Sequence, residues 1–463
     1  MIDESDMALL RQGVNAAKQR ACEQGSPVLA SCSLPHPNID FVQIFAANHR
    51  SEQPATLWAM PEDNFALLGL GCTHEFQCPA GRPWSDLQSA WETRIAKAVV
   101  IGDHRPVLCG GFAFDRRTRR SKLWRDFPAA ALTLHRYFLQ AEGTRIKLVL
   151  NTLVDGRSDC EKLCDELLKG WQKIVARSYS PPAEEVGRSL GTLVSGQAWR
   201  DKVSAAVEAI GAERLRKVVL ARAEQIAVDV PLPDILDGLR QLHPGAYVFA
   251  FARGRSCFLG ASPERLIARR GNRVHTCAVA GTAPRHHDPE IDRQLGRELL
   301  ISDKNRYEHA LVANELKRAL GLYCDHVASP PEPRLRKLRH VQHLVTPIRG
   351  EIHSNMPLLA LLQQLHPSPA VGGFPTNEAM AYIRAHEGMD RGWYAGPVGW
   401  LDAAGDGEFA VALRSALLAG RDAVLFAGCG IVKDSKPEDE YWESRYKMQA
   451  MMTALAATGT EPA

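Results

Sequence analysis

Short apolar runs that alternate with polar positions and end in turn residues dominate the first third of the chain. They predict strands at 27–33, 55–60, 65–71, 105–115, 130–140 and 145–154. Helical spacing in this region is confined to three stretches. These are 7–22, 85–101, where Leu87, Trp91, Ile95 and Val99 share a face, and 159–178. Many strands and few helices predict a mixed sheet. The stretch SYSPPAEEVGRS, with paired prolines and polar neighbours, reads as a linker near 178–190 and divides the chain into portions 1–190 and 191–463.

Beyond the linker the pattern predicts a helix at 199–210 and a strand at 217–228 that begins on Lys217. A hairpin-like pair follows at 247–252 and 256–259, then a strand at 273–280 that ends in Gly281-Thr282. Helical spacing over 291–323 is broken near Ser302, and the strand at 341–346 carries His343 among apolar neighbours. HPSPAVGGFP, 366–375, is interrupted by prolines and glycines, so it is expected as an ordered loop of the kind that lines sites. The segment 408–418 reads as one alternating strand, with Phe409, Val411 and Leu413 on one face and Ala410, Ala412 and Arg414 on the other. An apolar run at 423–427 ends in Gly428-Cys429-Gly430. After it, Ser435 and Glu438 at capping-box spacing, with Pro437 in the first turn, mark the start of a final helix.

Composition narrows the class. With 463 residues, 45% hydrophobic and 24% charged, the chain can fill the core of one large domain or two ordinary ones. A net charge of +3 from 56 basic and 53 acidic residues, interspersed along the chain, offers no footprint for nucleic acid. The start MIDESDMALL is acidic where a leader would be basic, and no run of 18 apolar residues occurs, so no membrane segment and a cytoplasmic location are expected. Eleven cysteines without a CxxC pair are expected to be reduced and mostly buried.

Candidate chemistry lies in the second portion. The first shows no clustered His, Cys or carboxylate set and no phosphate loop, and a structural role is expected for it. On the final helix Glu440, Glu443 and Lys447 fall at i, i+3 and i+7 and share a face. Such a face is commonly solvated, but Met448, Met451, Met452 and Leu455 follow and Trp442 stands beside the acids, so the helix also packs. A carboxylate at a buried edge needs a cation or a metal. The glycines at 428 and 430 let backbone N–H groups approach an anion, a candidate cradle. Arg414, flanked by alanines, suits a substrate carboxylate, with a buried ion pair as the structural alternative. Glu308 lies in line with Leu311, Val312 and Glu315, at the border of an apolar stripe. Taken singly, Lys217 reads as an edge guard, Glu264 as an exposed turn residue and His343 as a hydrogen-bonded core residue.

Taken in order, these segments carry a resemblance. Lys217-VVLAR, Ser262-Pro263-Glu264, Ala280-Gly281-Thr282, Arg306-Tyr307-Glu308-His309, HPSPAVGGFP, Tyr394-Ala395-Gly396, Arg414, Gly428-Cys429-Gly430-Ile431-Val432 and the Glu440/Glu443/Lys447 helix occur as they do in chorismate-utilising enzymes. Over about 195–456 the chain resembles an isochorismate synthase; the first portion is only loosely similar. The resemblance implies an α/β fold of two packed mixed sheets with helices outside, the two portions intertwined. It implies Mg²⁺ held by Glu308 and Glu443, with Glu440 helping through water. Arg414, Tyr394, the Gly428 backbone and Lys447 would hold the two carboxylates of chorismate, and Gly281, Thr282, His343 and Ala370 would wall the pocket. Lys217 would be the base that activates water, which needs a neutral amine. Glu264 would be the acid that protonates the departing C4 hydroxyl, which needs a carboxyl kept protonated by burial.

Relatives differ in nucleophile and end product. The lysine at 217 and Pro369-Ala370 in the loop differ from the glutamine and glycine-threonine pair usual in anthranilate synthases, which implies water and no glutaminase subunit. Ala370 favours stopping at isochorismate over salicylate. Asn305 departs from the pattern, since family members often carry an acid there. Val341-Gln342-His343-Leu344 and the long first portion look more like menaquinone-branch than siderophore-branch enzymes. A chorismate-binding regulator would need Arg414 and the glycines but not Lys217 and Glu264 as well. No heptad seam or apolar strip is apparent, and a monomer is expected.

Overall fold

Both portions of the chain contribute strands to the same two sheets. The computed structural model describes residues 4–79, 81–118, 120–181, 195–212, 215–339, 341–353 and 356–456. The linker expected at 178–190 lies mostly outside them, as does the boundary drawn at 190. The first sheet has 12 strands, in the order Gly373–Phe374, Lys217–Ala227, Asp422–Ile431, Ser415–Ala419, Ser256–Ser262, Tyr247–Arg253, Ala55–Met60, Phe65–Leu70, Tyr137–Glu142, Arg145–Val154, Val28–His36, Val99–Ile101. The second has 10, in the order Cys324–Ala328, Val341–Ile352, Arg273–Pro284, Arg265–Arg270, Gly407–Val411, Pro397–Asp402, Val107–Phe112, Ala130–Leu134, His74–Gln77, with Arg334–Lys337 also paired to Val341–Ile352. Each sheet crosses between the portions by direct pairing. Phe249 stands opposite Trp58 in the first sheet and Gly399 opposite Gly110 in the second. The first sheet is mixed through the parallel pairing of Val28–His36 with Val99–Ile101; the pairs described in the second are antiparallel.

Period-two alternation builds the layers. On Tyr247–Arg253, Tyr247, Phe249 and Phe251 enter an apolar cluster shared by both sheets, alongside Trp393, Phe112 and Phe409. Val248, Ala250 and Ala252 point the other way, into a second cluster that holds Leu10 and Val14 of helix Glu4–Gln24, Leu236 of Leu232–Leu242 and Met448 and Met451 of Pro437–Leu455. The helices thus cover the outer face of the 12-stranded sheet. No described helix is long and apolar enough to cross a membrane. All 11 cysteines are free and seven are buried.

Five expectations need correction. The helix read over 85–101 is Trp84–Ala96; the Lys97 and Ala98 N–H groups close onto the Arg94 and Ile95 carbonyls, and the β-branched pair Val99-Val100 enters a strand. The strand read over 130–140 is two, Ala130–Leu134 and Tyr137–Glu142, one in each sheet. The strand read over 408–418 is also two, because Arg414 adopts φ 47° and turns the chain from the second sheet into the first. The 366–375 loop ends in a two-residue strand that pairs Phe374 with Lys217. The capping box does not form: Lys436 is the N-cap, so Ser435 stands one residue too early, and its hydroxyl accepts from the Val432 N–H at 3.1 Å.

Candidate active site

The chain passes from the first sheet to the second between Ser262 and Arg265, and returns between Val411 and Ser415. Glu264 and Arg414 sit on these two passages, freed from the strict alternation of a strand. Both border one cavity, of about 80 Å³. Gly281, Thr282, Glu308, His343, Ala370, Tyr394, Gly428, Glu443 and Lys447 also line it. Eleven of the thirteen residues singled out by the sequence therefore meet at one cavity. The exceptions, Lys217 and Glu440, lie just behind its wall.

Glu264 is 5% exposed, contrary to the usual fate of a turn glutamate. Burial pushes its carboxyl up to about 8, against the downward pull of Lys217, Lys447 and Arg414, so it keeps its proton at neutral pH. Its backbone is pinned: the Glu264 N–H donates to Ser262 Oγ at 3.2 Å, and the Val411 N–H donates to the Glu264 carbonyl at 3.0 Å.

Arg414 Nη2 donates to His343 Nε2 at 2.7 Å. A guanidinium can only donate, so Nε2 accepts and Nδ1–H is left to donate to Thr282 Oγ1 at 3.1 Å. Burial, with Arg414 next to it, holds His343 well below its usual range and neutral. The pair that the sequence left as core histidine and buried arginine is thus one unit on the cavity wall. Burial and then Arg336 lower Arg414 to about 10, which leaves it charged at neutral pH. Its left-handed backbone, and that of Ala395 at φ 60°, are the two strained non-glycine positions beside the cavity. Gly281 supplies a third unusual backbone position: it is the extra residue where register slips between Ala280 and Thr282, at φ 77°. Asn305, where relatives often carry an acid, packs against this bulge and bonds Ser302 Oγ at 2.9 Å.

The carboxylates face lysines. Lys217 is 1% exposed, and its Nζ sits 2.9 Å from Glu308 Oε1. Burial raises the Glu308 carboxyl, but Lys217 outweighs it and holds the group below its usual range. Lys447 Nζ lies 2.7 Å from Glu443 and donates to the Gly428 carbonyl at 2.9 Å. Burial works against its charge and Glu443 more than offsets that, so it is held above the usual lysine range. Glu440, 2% exposed, has one oxygen 3.2 Å from Lys304 Nζ; its other oxygen has no partner among the described residues, and burial with Glu443 beside it raises the carboxyl to about 7. Lys304 was not singled out, although its i, i+4 relation to Glu308 was a readable signal. Arg391 had the same signal in its i, i+4 relation to Glu387, with which it pairs. It donates to the Val371 and Val219 carbonyls, residues remote in sequence, and ties the 366–375 loop to the Lys217 strand.

The glycines at 428 and 430 lie inside the strand Asp422–Ile431, not in a loop after it. They make room for side chains: a Cβ at 430 would stand 2.5 Å from Glu308 Oε1 and 2.8 Å from Lys217 Cε, and one at 428 would stand 3.2 Å from the Tyr394 hydroxyl. Gly430→Ala is therefore expected to displace the Lys217–Glu308 pair, with a stability loss of about 1–3 kcal/mol in denaturant unfolding and a fall in catalysed turnover. Trp442, expected to help pack the final helix, is 49% exposed.

Cys429, Glu440 and Glu443 bring possible ligand atoms within 4.8 Å of one another. Burial holds the Cys429 thiol well above its usual range, hence protonated, so the oxygens are the available donors. Glu308 stands outside that trio, paired with Lys217 on the same cavity. A buried Glu440 oxygen lacking a partner among the described residues, with the Glu443 carboxylate beside it and Glu308 on the same cavity, fits a hard, oxygen-preferring divalent cation.

Comparison with known proteins extends the resemblance to nearly the whole chain. A family model described as chorismate binding enzyme matches residues 15–456. The salicylate biosynthesis isochorismate synthase of Pseudomonas aeruginosa is 40% identical over 98% of this chain and 97% of its own. Isochorismate synthase MenF of Bacillus subtilis is 35% identical over 96% and 97%. Among solved structures, MenF, the menaquinone-specific isochorismate synthase from Escherichia coli, matches with a TM-score of 0.77 at 27% identity over 96% of this chain and all of that one. Anthranilate synthase component I from Streptococcus pneumoniae shares the fold, with a TM-score of 0.66 at 22% identity over 84% and 92%. The long first portion is common to the salicylate and menaquinone relatives, so it does not mark the menaquinone branch. Site and sequence agree, and the chain belongs to the chorismate binding enzymes, in the family of isochorismate synthases.

Proposed function

We propose that the chain converts chorismate to isochorismate by adding water at ring C2 and expelling the C4 hydroxyl. The observation that carries this reading is Glu264, a carboxyl kept protonated near neutral pH on the wall of a cavity that also presents Arg414 and Lys447. Arg414, Lys447 and the Tyr394 hydroxyl, which burial keeps protonated, bind the two carboxylates of the substrate. For this step Lys217 must part from Glu308 and be neutral; it then removes a proton from water as the water oxygen bonds to C2. The ring double bonds shift by one position each, the C4–O bond breaks, and Glu264 gives its proton to the departing hydroxide. The two groups return to their starting states by exchange with solvent. Glu308 and Glu443 would hold Mg²⁺, with Glu440 beside them, and the ion would supply charge stabilisation at the ring carboxylate.

In this reading the protein works as a monomer in the cytoplasm, without a glutaminase subunit. Ala370 in the loop supports release at isochorismate. The Val341-Gln342-His343-Leu344 run supports supply to menaquinone formation; the 40% identical relative favours a second reading, supply to salicylate formation. Deleting the gene in its own host and measuring menaquinone and salicylate separates these two.

The test of the reaction is incubation with chorismate, with Mg²⁺ or with EDTA, followed by separation of products. Isochorismate formed only with Mg²⁺ and without ammonia is the expected outcome. Salicylate with pyruvate would shift the assignment to a lyase, and a requirement for ammonia would overturn it.

A further inference from the structure

The Ser262–Arg265 passage is held by a residue that takes no part in the chemistry described above. Register in the first sheet ends at Ser262, opposite Tyr247, and resumes in the second at Arg265, opposite Ala410. Pro263 and Glu264 therefore fall between the two registers, with the Glu264 carbonyl taken up by the Val411 N–H. Arg336, on the short strand Arg334–Lys337, reaches this gap. Its Nη1 donates to the Pro263 carbonyl at 2.7 Å and its Nη2 to the Gly245 carbonyl at 2.6 Å. It lines a separate cavity of about 280 Å³, with Tyr247, Arg265, Cys277 and Arg349, and not the substrate cavity.

We propose that Arg336 is a positioning residue for Glu264: from outside the substrate cavity its guanidinium fixes the Pro263–Glu264 peptide so that the carboxyl faces the substrate. The carbonyl it holds belongs to that peptide, so its orientation sets the direction in which the Glu264 side chain leaves the backbone. The second bond anchors the guanidinium to the turn before strand Tyr247–Arg253. Two carbonyls approached by one planar fork suit arginine; an ammonium in its place serves one of them well. Arg336 also stands cross-strand to His343, the partner of Arg414, so one short strand backs both passages between the sheets.

This inference rests on Glu264 being the acid, and the experiment separates the two ideas. Arg336→Ala is expected to lower kcat about 10–100-fold, the scale that a displacement of about 1 Å produces, with KM for chorismate within about two-fold of the parent. Arg336→Lys is expected to recover part of the loss. In a Glu264→Gln background the Arg336 substitution is expected to change residual turnover little, because there is no acid left to aim. Parental kcat in Arg336→Ala, or an equal further loss in the Glu264→Gln background, would overturn the inference. Parental kcat in Glu264→Gln alone would overturn the assignment of the acid instead. If the alanine variant does not fold, Arg336→Gln, which keeps one donor, is measured in the same way and read by the same outcomes.

Discussion

Glu264→Gln is expected to reduce kcat by about 10²–10⁴, the usual worth of a positioned proton donor, while chorismate still binds. The amide keeps size and polarity but has no proton to give the departing hydroxide. Turnover by the parent is expected to fall as pH rises through about 8, where the carboxyl ionises. Stability should carry the same signature, with a sign fixed by linkage. Between the ordinary glutamate range near 4.5 and about 8, the unfolded chain has lost this proton and the folded chain has kept it. Unfolding then releases a proton, so stability falls with rising pH across that window, by up to a few kcal/mol at roughly 1.4 kcal/mol per unit. The glutamine variant lacks this slope. Denaturant midpoints for the two proteins measured from pH 5 to 9 should diverge in favour of the variant. Parallel curves, together with parental turnover, would remove Glu264 from its role.

Lys217→Met is expected to show a second large effect, again a fall in kcat of about 10²–10⁴, because the base is gone. The substitution keeps much of the apolar stem and leaves Glu308 without the Lys217 nitrogen 2.9 Å away. Breaking one side of a buried pair costs about 3–5 kcal/mol. In Mg²⁺-free buffer the variant should therefore unfold at lower denaturant than the parent. Added Mg²⁺ should restore more stability to the variant than to the parent, since Glu308 is then free to serve the cation. Equal responses to Mg²⁺ would mean that Glu308 is not a ligand, and unchanged turnover would mean that Lys217 is not the base.

The local patterns that survived folding are those whose cause is local. The helix break at Ser302 is one: its hydroxyl caps the Asn305 N–H, and the two helices end and begin on that residue. Strands Ala55–Met60 and Arg145–Val154 match their apolar runs to the residue. The failures share a different cause. At 408–418 the alternation of apolar residues runs straight through the passage between sheets, because both sides of that passage are buried, and periodicity cannot mark where a buried chain changes sheets. The same blindness made Glu264 look like a surface turn.

What the sequence determined by itself is the inventory: an amine, a carboxyl, three acids on two helices, an arginine between alanines, and small residues where groups must come close. Their ordered spacing was enough to assign the family and most of the cavity wall. Tertiary structure alone decided how each group is charged and held. The proton on Glu264 follows from burial between two sheets, the neutral His343 from burial beside a guanidinium 71 positions away in the chain, and the order of the acid passage from Arg336. Electrostatic environment depends on what fills the surrounding few ångströms. In a chain that crosses repeatedly between two sheets, those neighbours come from segments that sequence order keeps far apart.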